Sequence, residues 1–358
     1  MRLLSFLLPL GLYFVGEQLW GGVAGLLVGF GATVAVQVVN AFRGGKFDIK
    51  DVAWDFASVA LFGLADIVAE QVSPRASTLA TSVVLTLLLF AIFAYKPQRI
   101  LSPVAEVLRP GFSDSPYFAH LMRGSLLRMS LWSLAASALY LVAFLDHGST
   151  AAEWIEDYTL LTILLAYVAS EFVMSMVRRA RYRDSEWVPL VTEEGAVTGG
   201  APRQLVHNGS HWLHAVVHLH IISSDRRLLL QLRPKSKKIQ PGRWDTAVGG
   251  HIVLGEKLAD ALRRETREEV GLTDFEARLS RHYVWRSDVE DEYVIVFKTN
   301  SDGPFAPGVP GEVDELRFWT AEELGKAIGT GILTPNLENE LKTGLLDELQ
   351  TENIIAHG

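Results

Sequence analysis

Six long apolar segments fill the first half of this 358-residue chain, and they constrain its fold more than any other feature. They cover residues 3–20, 22–41, 53–71, 78–95, 125–145 and 157–177. Each is close to the roughly 20 residues that a helix needs to cross the hydrocarbon core of a bilayer. Only helices and closed barrels satisfy their backbone hydrogen bonds within lipid. We therefore predict an all-α transmembrane domain of six helices over residues 1–185.

Basic residues are concentrated in alternate loops, and this pattern predicts the orientation of the domain. They follow the second, fourth and sixth segments, as Arg43, Lys46, Lys50, Lys96, Arg99, Arg109, Arg123, Arg178, Arg179, Arg181 and Arg183. The loops on the other side contain one basic residue, Arg75. Because basic loops stay in the cytoplasm, we expect both termini there. The run of apolar hairpins that opens with FLLPLGLYFV resembles the septation protein A type of bacterial inner-membrane protein, which implies a bacterial-type inner (cell) membrane.

Five acidic residues lie within or near the apolar segments: Glu17, Asp55, Asp66, Glu70 and Glu171. An acid in the hydrocarbon is costly and is by default a functional hypothesis. Glu17, Asp55 and Glu70 are close enough to segment ends to be solvated at the interface. For Asp66 and Glu171 a functional and a structural role are both open.

The second half of the chain has a different composition. Residues 1–185 contain 14 basic and 14 acidic residues, so the whole net charge of −8 lies in residues 186–358. A glycine-rich and proline-containing stretch after the last basic cluster marks a domain boundary near residue 186. An acidic domain lacks the clustered positive charge that tracks phosphates, so we expect no nucleic-acid partner. The chain has no cysteine, which excludes thiolate metal sites.

Alternating patterns in the second half predict strands around one central helix. HAVVHLHIISS, RRLLLQLRP, YVWR and EYVIVFKT are typical of strands. EKLADALRRETREEV has the propensity of a helix that ends at Gly271. ELRFWTAEELGKAI predicts a further strand and a short helix capped by Thr320. These elements indicate an α/β or α+β sandwich.

The central helix carries an unusual group of acids. At 100° per residue, Glu265, Glu268 and Glu269 fall on the same stripe as the apolar residues that precede them. Carboxylates that converge on a partly buried face repel one another unless a cation lies between them. Hard oxygen ligands of this kind suit Mg²⁺ or Mn²⁺.

The spacing around these acids resembles the Nudix box, G-x5-E-x7-R-E-U-x-E-E-x-G-U. The matching run GHIVLGEKLADALRRETREEVGL extends from Gly250 to Leu272, and the one soft departure is Thr266 at an aliphatic position. The resemblance implies an α/β/α Nudix sandwich over residues 186–358. It also implies metal-dependent hydrolysis of a small-molecule nucleoside diphosphate linked to another moiety.

The same resemblance implies roles for the box residues. Glu265, Glu268 and Glu269 would bind the divalent cations, with the Gly250 carbonyl as a further ligand. Arg264 would orient Glu265, and Glu265 or Glu268 would deprotonate the attacking water. An additional metal ligand outside the box is typical of the family, and the candidates are Glu290, Glu292, Glu312 and Glu315.

The flanking sequence resembles the Nudix branch that contains isopentenyl-diphosphate isomerases and their hydrolase-like relatives. In those isomerases a cysteine precedes the glycine-histidine pair and takes part in proton transfer. This chain has Gly249 there, which favours hydrolysis over isomerisation. The predicted substrate-binding residues are Arg233, Lys235, Lys238, Trp244 and His251.

Two features have alternative interpretations. Trp244 could stack a base or fill the core. Among His207, His211, His214, His218 and His220, a metal site and ordinary strand positions are both open.

Three functional hypotheses follow from these features. The first is a membrane-anchored, Mg²⁺-dependent Nudix hydrolase with its active site in the cytoplasm. The second is a nucleotide-binding sensor that regulates the membrane domain. The third is a hydrolase of a prenyl or lipid diphosphate taken from the bilayer.

Overall fold

The computed structural model describes residues 2–42, 49–95, 115–146 and 149–351. The chain forms two compact units, Met1–Asp184 and Ser185–Gly358, and this boundary lies next to the change in composition at residue 186. Several basic residues that support the predicted orientation lie outside the described residues: Arg43, Lys46, Lys96, Arg99 and Arg109.

Six long helices make up the described part of the first unit. They are α1 (Arg2–Trp20), α2 (Gly22–Phe42), α3 (Ile49–Glu70), α4 (Pro74–Tyr95), α5 (Pro116–Leu145) and α6 (Thr150–Arg181). Among the described residues, four windows are long and apolar enough to cross a membrane: Gly22–Val39, Pro74–Ala94, Pro116–Leu145 and Thr150–Arg181. Side chains within the other two predicted spans, residues 3–20 and 53–71, lie partly outside what the structure describes, so six spans remain a prediction.

Two of the acids in this unit have close polar partners. The hydroxyl of Tyr13 donates to Oδ2 of buried Asp66 at 2.5 Å, and Ser77 donates to the other oxygen. Arg128 forms a two-pronged ion pair with Glu171 at 2.7 and 3.0 Å. Glu70 is exposed, and the side chain of Asp55 lies outside what the structure describes. Both open cases, Asp66 and Glu171, thus connect helices to one another.

A nine-stranded sheet forms the centre of the second unit. Its strands are β1 (Trp187–Val191), β2 (Val197–Pro202), β3 (His214–Ile222), β4 (Leu228–Leu232), β5 (Trp244–Thr246), β6 (Val248–His251), β7 (Arg278–Arg286), β8 (Asp291–Asn300) and β9 (Glu315–Trp319). Its helices are α7 (Arg203–Val206), α8 (Leu258–Val270), α9 (Ala321–Ala327), α10 (Pro335–Glu340) and α11 (Leu346–Thr351), with a π-helical turn over Leu341–Leu345.

Strand β3 is the central strand, and its pairing positions the site. It pairs in parallel with β8 along its whole length, with His214 opposite Glu292 and His220 opposite Lys298. It also pairs antiparallel with β6, where His218 lies opposite Gly249. All nine residues of β3 are buried. The alternation of its sequence therefore separates two buried faces, one apolar and one that carries histidines.

Helices cover both faces of this sheet. Ala215, Val217 and Leu219 of β3 pack in one core with Ala261 and Leu262 of α8. On the opposite face, Leu228 and Leu230 of β4 pack with leucines of α9, α10, the π-helical turn and α11. The predicted capping box forms at Thr320, whose side chain accepts from the Glu323 N–H. Helix α8 ends at Gly271 with φ of 72°, as predicted for a C-terminal glycine.

Candidate functional site

Strand β6 and helix α8 bring the box residues together at Gly250. The carboxylate of Glu265 lies directly against the Gly250 backbone, because a Cβ built on Gly250 would be 2.0 Å from Cδ of Glu265. No side chain fits in that space. The glycine in this position is therefore required by the close approach of the helix carboxylate to the strand.

Arg264 holds this arrangement in place through several charge-assisted bonds. Its guanidinium donates to both oxygens of Glu256 at 2.9 Å and to Oε1 of Glu265 at 2.7 Å. It also donates to the carbonyl of His251 at 2.9 Å. Glu256 in turn accepts from the Val253 N–H, and its pairing with Arg264 lowers its pKa. Arg264 thus fixes Glu265 and connects the loop, the helix and strand β6.

Glu269 is the most buried of the three box acids, with 8% of its surface exposed. Its Oε2 accepts hydrogen bonds from the Gly249 N–H and from Nε2 of Gln231, both at 2.8 Å. Burial raises the pKa of Glu269 to about 8, and the neighbouring Glu265 contributes to the rise. Burial also raises the pKa of Glu265. A nearby cation would relieve both effects, since it favours the ionised carboxylates.

Glu268 is the most accessible of the three. Its side chain is 32% exposed, and its nearest described cation is Arg264 at 3.5 Å. The solvent exposure of the three acids thus increases from Glu269 through Glu265 to Glu268. Their carboxylates provide several negatively charged oxygen ligands beside the loop that precedes α8. Ligands of this kind suit Mg²⁺ or Mn²⁺.

The predicted substrate-binding residues lie in different surroundings. Arg233 pairs with Asp245 at 3.0 Å, whereas Lys235 and Lys238 are exposed on the loop after β4. The ring of Trp244 packs edge-on against Trp319 and contacts the leucine core of the C-terminal helices. His251 points into a group of histidines. Their role in substrate binding stays a prediction, and for Trp244 the packing agrees with the core alternative.

Three histidines and two glutamates form a second cluster beside the box. Ligand atoms of His207, His214 and His251 lie within 4.8 Å of one another, as do those of His214, Glu290 and Glu292. Nε2 of His207 lies 3.0 Å from Nε2 of His251, and Nδ1 of His207 contacts Glu290. The parallel register of β3 and β8 places His214 next to Glu292. We refer to these five residues as the histidine cluster.

The donor chemistry of the histidine cluster fits a divalent metal ion. Nδ1 of His214 donates to the Trp212 carbonyl, and its buried Nε2 has no hydrogen-bond partner among the described residues. Burial lowers the pKa of His214 to about 4 and that of His251 well below its usual value, so both rings are neutral. Neutral imidazole is the form that ligates a metal. Burial, and next the neighbouring Glu290, raise the pKa of Glu292, which a cation would also offset.

Other predicted candidates lie outside both groups. His211 pairs with Asp291 on the surface, Glu312 pairs with Lys237, and Glu315 is exposed. His218 and His220 bind Glu340 of α10 at 2.9 and 2.6 Å. No sequence signal pointed to Glu340, because a single glutamate in a short C-terminal helix has no spacing pattern. The proximity of His251 to His207 and His214 was likewise not predicted, because these residues are far apart along the chain.

A glutamate-rich helix lies beside a glycine-ended strand, within a sheet covered by helices on both faces, and this arrangement is the one that the Nudix box implies. The sequence model of the NUDIX domain matches residues 212–337. An isopentenyl-diphosphate Delta-isomerase of Mycolicibacterium vanbaalenii is 35% identical over 129 residues, which cover 34% of this chain and 71% of that protein. One of Corynebacterium efficiens is 32% identical over 156 residues, covering 40% and 82%.

A third relative is an uncharacterised Nudix hydrolase of Yersinia pestis. It is 28% identical over 139 residues, which cover 39% of this chain and 75% of that protein. The chain belongs to the Nudix family through its second unit. The resemblance of the first half to septation protein A type proteins finds no support in these comparisons.

Proposed function

We propose that this chain is a membrane-anchored, metal-dependent Nudix hydrolase that cleaves a diphosphate linkage with the acids of helix α8. The observation that carries the proposal is the complete box geometry, in which Arg264 holds Glu265 against Gly250 beside Glu268 and Glu269. A binding module has no need of that full set of acids and of the arginine that orients them.

Each box residue has a defined task in this proposal. Glu265, Glu268, Glu269 and the Gly250 carbonyl would hold Mg²⁺ or Mn²⁺. Bound divalent ions neutralise diphosphate oxygens and lower the pKa of a bound water. Glu268 is the best placed of the acids to take the proton from that water, because it is the most exposed. Arg264 favours the ionised form of Glu265 and holds its carboxylate in place, and Gln231 together with the Gly249 N–H keeps Glu269 in position.

The substrate is proposed at the level of a diphosphate, either joined to a nucleoside or carried by a prenyl or lipid group. Two of the relatives are named as isopentenyl-diphosphate isomerases, which supports a prenyl diphosphate. We do not propose isomerisation, because this chain has Gly249 at the position where those isomerases have a cysteine. The histidine cluster would hold a second divalent ion, which would stabilise the fold between β3, β6 and β8.

Membrane anchoring rests on the four long apolar helices and on the basic loops. We expect the Nudix unit and both termini in the cytoplasm of a bacterial-type inner membrane. The cysteine-free sequence allows a direct test with single cysteines. A membrane-impermeant maleimide should label Val72→Cys on intact cells and Asp184→Cys only after permeabilisation. Labelling of both on intact cells would contradict this topology.

The activity is tested with the full-length protein in detergent, with Mg²⁺, on matched panels of nucleoside and prenyl diphosphates. Phosphate release that is lost in Glu268→Gln and retained in Glu322→Gln, a surface control, would support the hydrolase and name its substrate class. Isopentenyl diphosphate should not be converted to its allylic isomer. A folded, Mg²⁺-binding protein without turnover on either panel would favour the nucleotide-sensor alternative.

A further inference from the structure

A cavity lies on the face of the sheet that the C-terminal helices cover, away from the box residues. Its volume is about 190 Å³, and its walls come from β3, β7, β8 and the π-helical turn. The side chains that matter for its chemistry are His220, Arg281, Lys298 and Glu348. None of these residues is used by the proposed hydrolysis.

The cavity has more positive than negative groups at its walls. Arg281 donates to the Thr343 carbonyl, the Thr343 hydroxyl and the Glu340 carbonyl, and all three acceptors are neutral. These bonds fix the guanidinium without neutralising its charge. Lys298 contacts Glu348. One carboxylate therefore faces two cations, and the hydroxyl of Ser280 adds a further donor.

His220 and Lys298 form part of the wall of this space. His220 is 1% exposed, and its Nε2 donates to the Glu340 carboxylate at 2.6 Å. Lys298 lies opposite His220 on the neighbouring strand β8. The positive charge of Lys298, together with that of Arg281, favours an anionic ligand.

We propose that this cavity, lined by His220, Arg281, Lys298 and Thr343, is a binding site for a phosphate group. Phosphate oxygens can accept from Lys298 and Arg281 at once, and charge-assisted bonds of this kind are the strong ones. The phosphate would displace Glu348 from Lys298. The site is separate from the diphosphate site of α8 and does not depend on the proposed function.

The test is equilibrium binding of inorganic phosphate to the full-length protein in detergent, without divalent metal. Under these conditions the box acids repel the anion, so binding reports the cavity. Lys298→Met should weaken binding about 10-fold or more, since a bond to a charged group is lost. Glu348→Gln should tighten binding several-fold, because a competing carboxylate is removed. Lys342→Met is the control, since Lys342 pairs with Glu338 outside the cavity.

The opposite signs of the two variants separate ligand binding from an effect on folding. Absence of saturable binding would overturn the proposal, and so would a Glu348→Gln protein that binds no tighter than wild type. An equal loss in Lys298→Met and Lys342→Met would overturn it as well. Phenyl phosphate as a second probe distinguishes two ligand sources: binding of both probes assigns the phosphate group of a larger molecule, and binding of inorganic phosphate alone assigns the free anion.

Discussion

The two units of the chain treat their buried acids in opposite ways. In the helical unit, Asp66 accepts from two hydroxyls and Glu171 is matched by a two-pronged Arg128. In the Nudix unit, buried Glu269 and half-buried Glu265 lie close to each other and to Glu268. Arg264, the guanidinium that pairs with Glu265, is shared with Glu256.

The difference teaches how to distinguish a connecting acid from a functional one. An acid whose partner is a cation joins elements and gains little from a further cation, as Glu171 does with Arg128. An acid that remains with like charges is destabilising until a cation or a proton arrives. Burial alone does not separate the two kinds, since Asp66 and Glu269 are both buried and each accepts from two neutral donors. Glu269 differs by its neighbouring carboxylate, Glu265.

The largest expected effect concerns Glu268. We expect Glu268→Gln to lower kcat by about 10²- to 10⁴-fold, the range for loss of a general base. Glu171→Gln should leave kcat within about twofold, because Glu171 serves a helix contact in the other unit. Steady-state phosphate release at saturating Mg²⁺ measures both. Equal losses in the two variants would break the distinction between the two kinds of acid.

Two neighbouring glycines of the Nudix unit, Gly249 and Gly250, test whether Glu265 needs its observed position. Gly250→Ala should lower kcat by about 100-fold, because a Cβ there displaces Glu265 and a shift of about 1 Å in a catalytic group costs that much. A Cβ on Gly249 would lie at an ordinary 3.5 Å from its nearest atom, so Gly249→Ala should have a small effect. If both variants were equally active, Glu265 would have no required position.

The helical unit offers the matching stability test. Arg128→Met leaves Glu171 without its cation and should lower the free energy of unfolding by about 1.5–3 kcal/mol, the usual value for a hydrogen bond to a charged group. Thermal unfolding of the full chain in detergent measures the change. The double variant Arg128→Met/Glu171→Gln should recover part of the loss. A double variant that is less stable than both single variants would contradict the pairing.

The smallest effect is a pH dependence of the metal-free Nudix unit. Glu269 has a folded pKa of about 8, above its unfolded value, so the folded state holds a proton that the unfolded state releases. Its contribution to stability is present at low pH and is lost as pH rises towards 8. Glu269→Gln cannot ionise, and at pH 8 it should be more stable than wild type by about 1 kcal/mol or more.

Thermal unfolding of residues 185–358, which form their own compact unit, in EDTA at pH 5 and pH 8 measures this effect. Saturating Mg²⁺ should reverse it, because the ion stabilises the wild-type carboxylate and has less to bind in Glu269→Gln. A wild-type protein that becomes more stable between pH 5 and pH 8 without metal would show that Glu269 is ionised there.

The sequence predicted the helix of the box well, because its glycines and acids lie close together in the sequence at fixed spacings. The Gly271 end of α8 and the Thr320 cap were confirmed for the same reason. Strand β3 was found, but the burial of its histidines was not, since alternation does not tell a solvated face from a second buried one. The histidine cluster depends on the parallel register of β3 with β8, which no local pattern encodes. Apolar length predicted six spans, and among the described residues four helices are long and apolar enough to cross a membrane.

Strand β6 has four residues, and two neighbours on it, Gly250 and His251, belong to different groups of ligands. A shift of one residue in a strand moves every side chain to the other face of the sheet. An inserted or deleted residue between Val248 and His251 would therefore exchange the two groups and damage both at once. Among inherited changes, we expect length variation to be purged within β6.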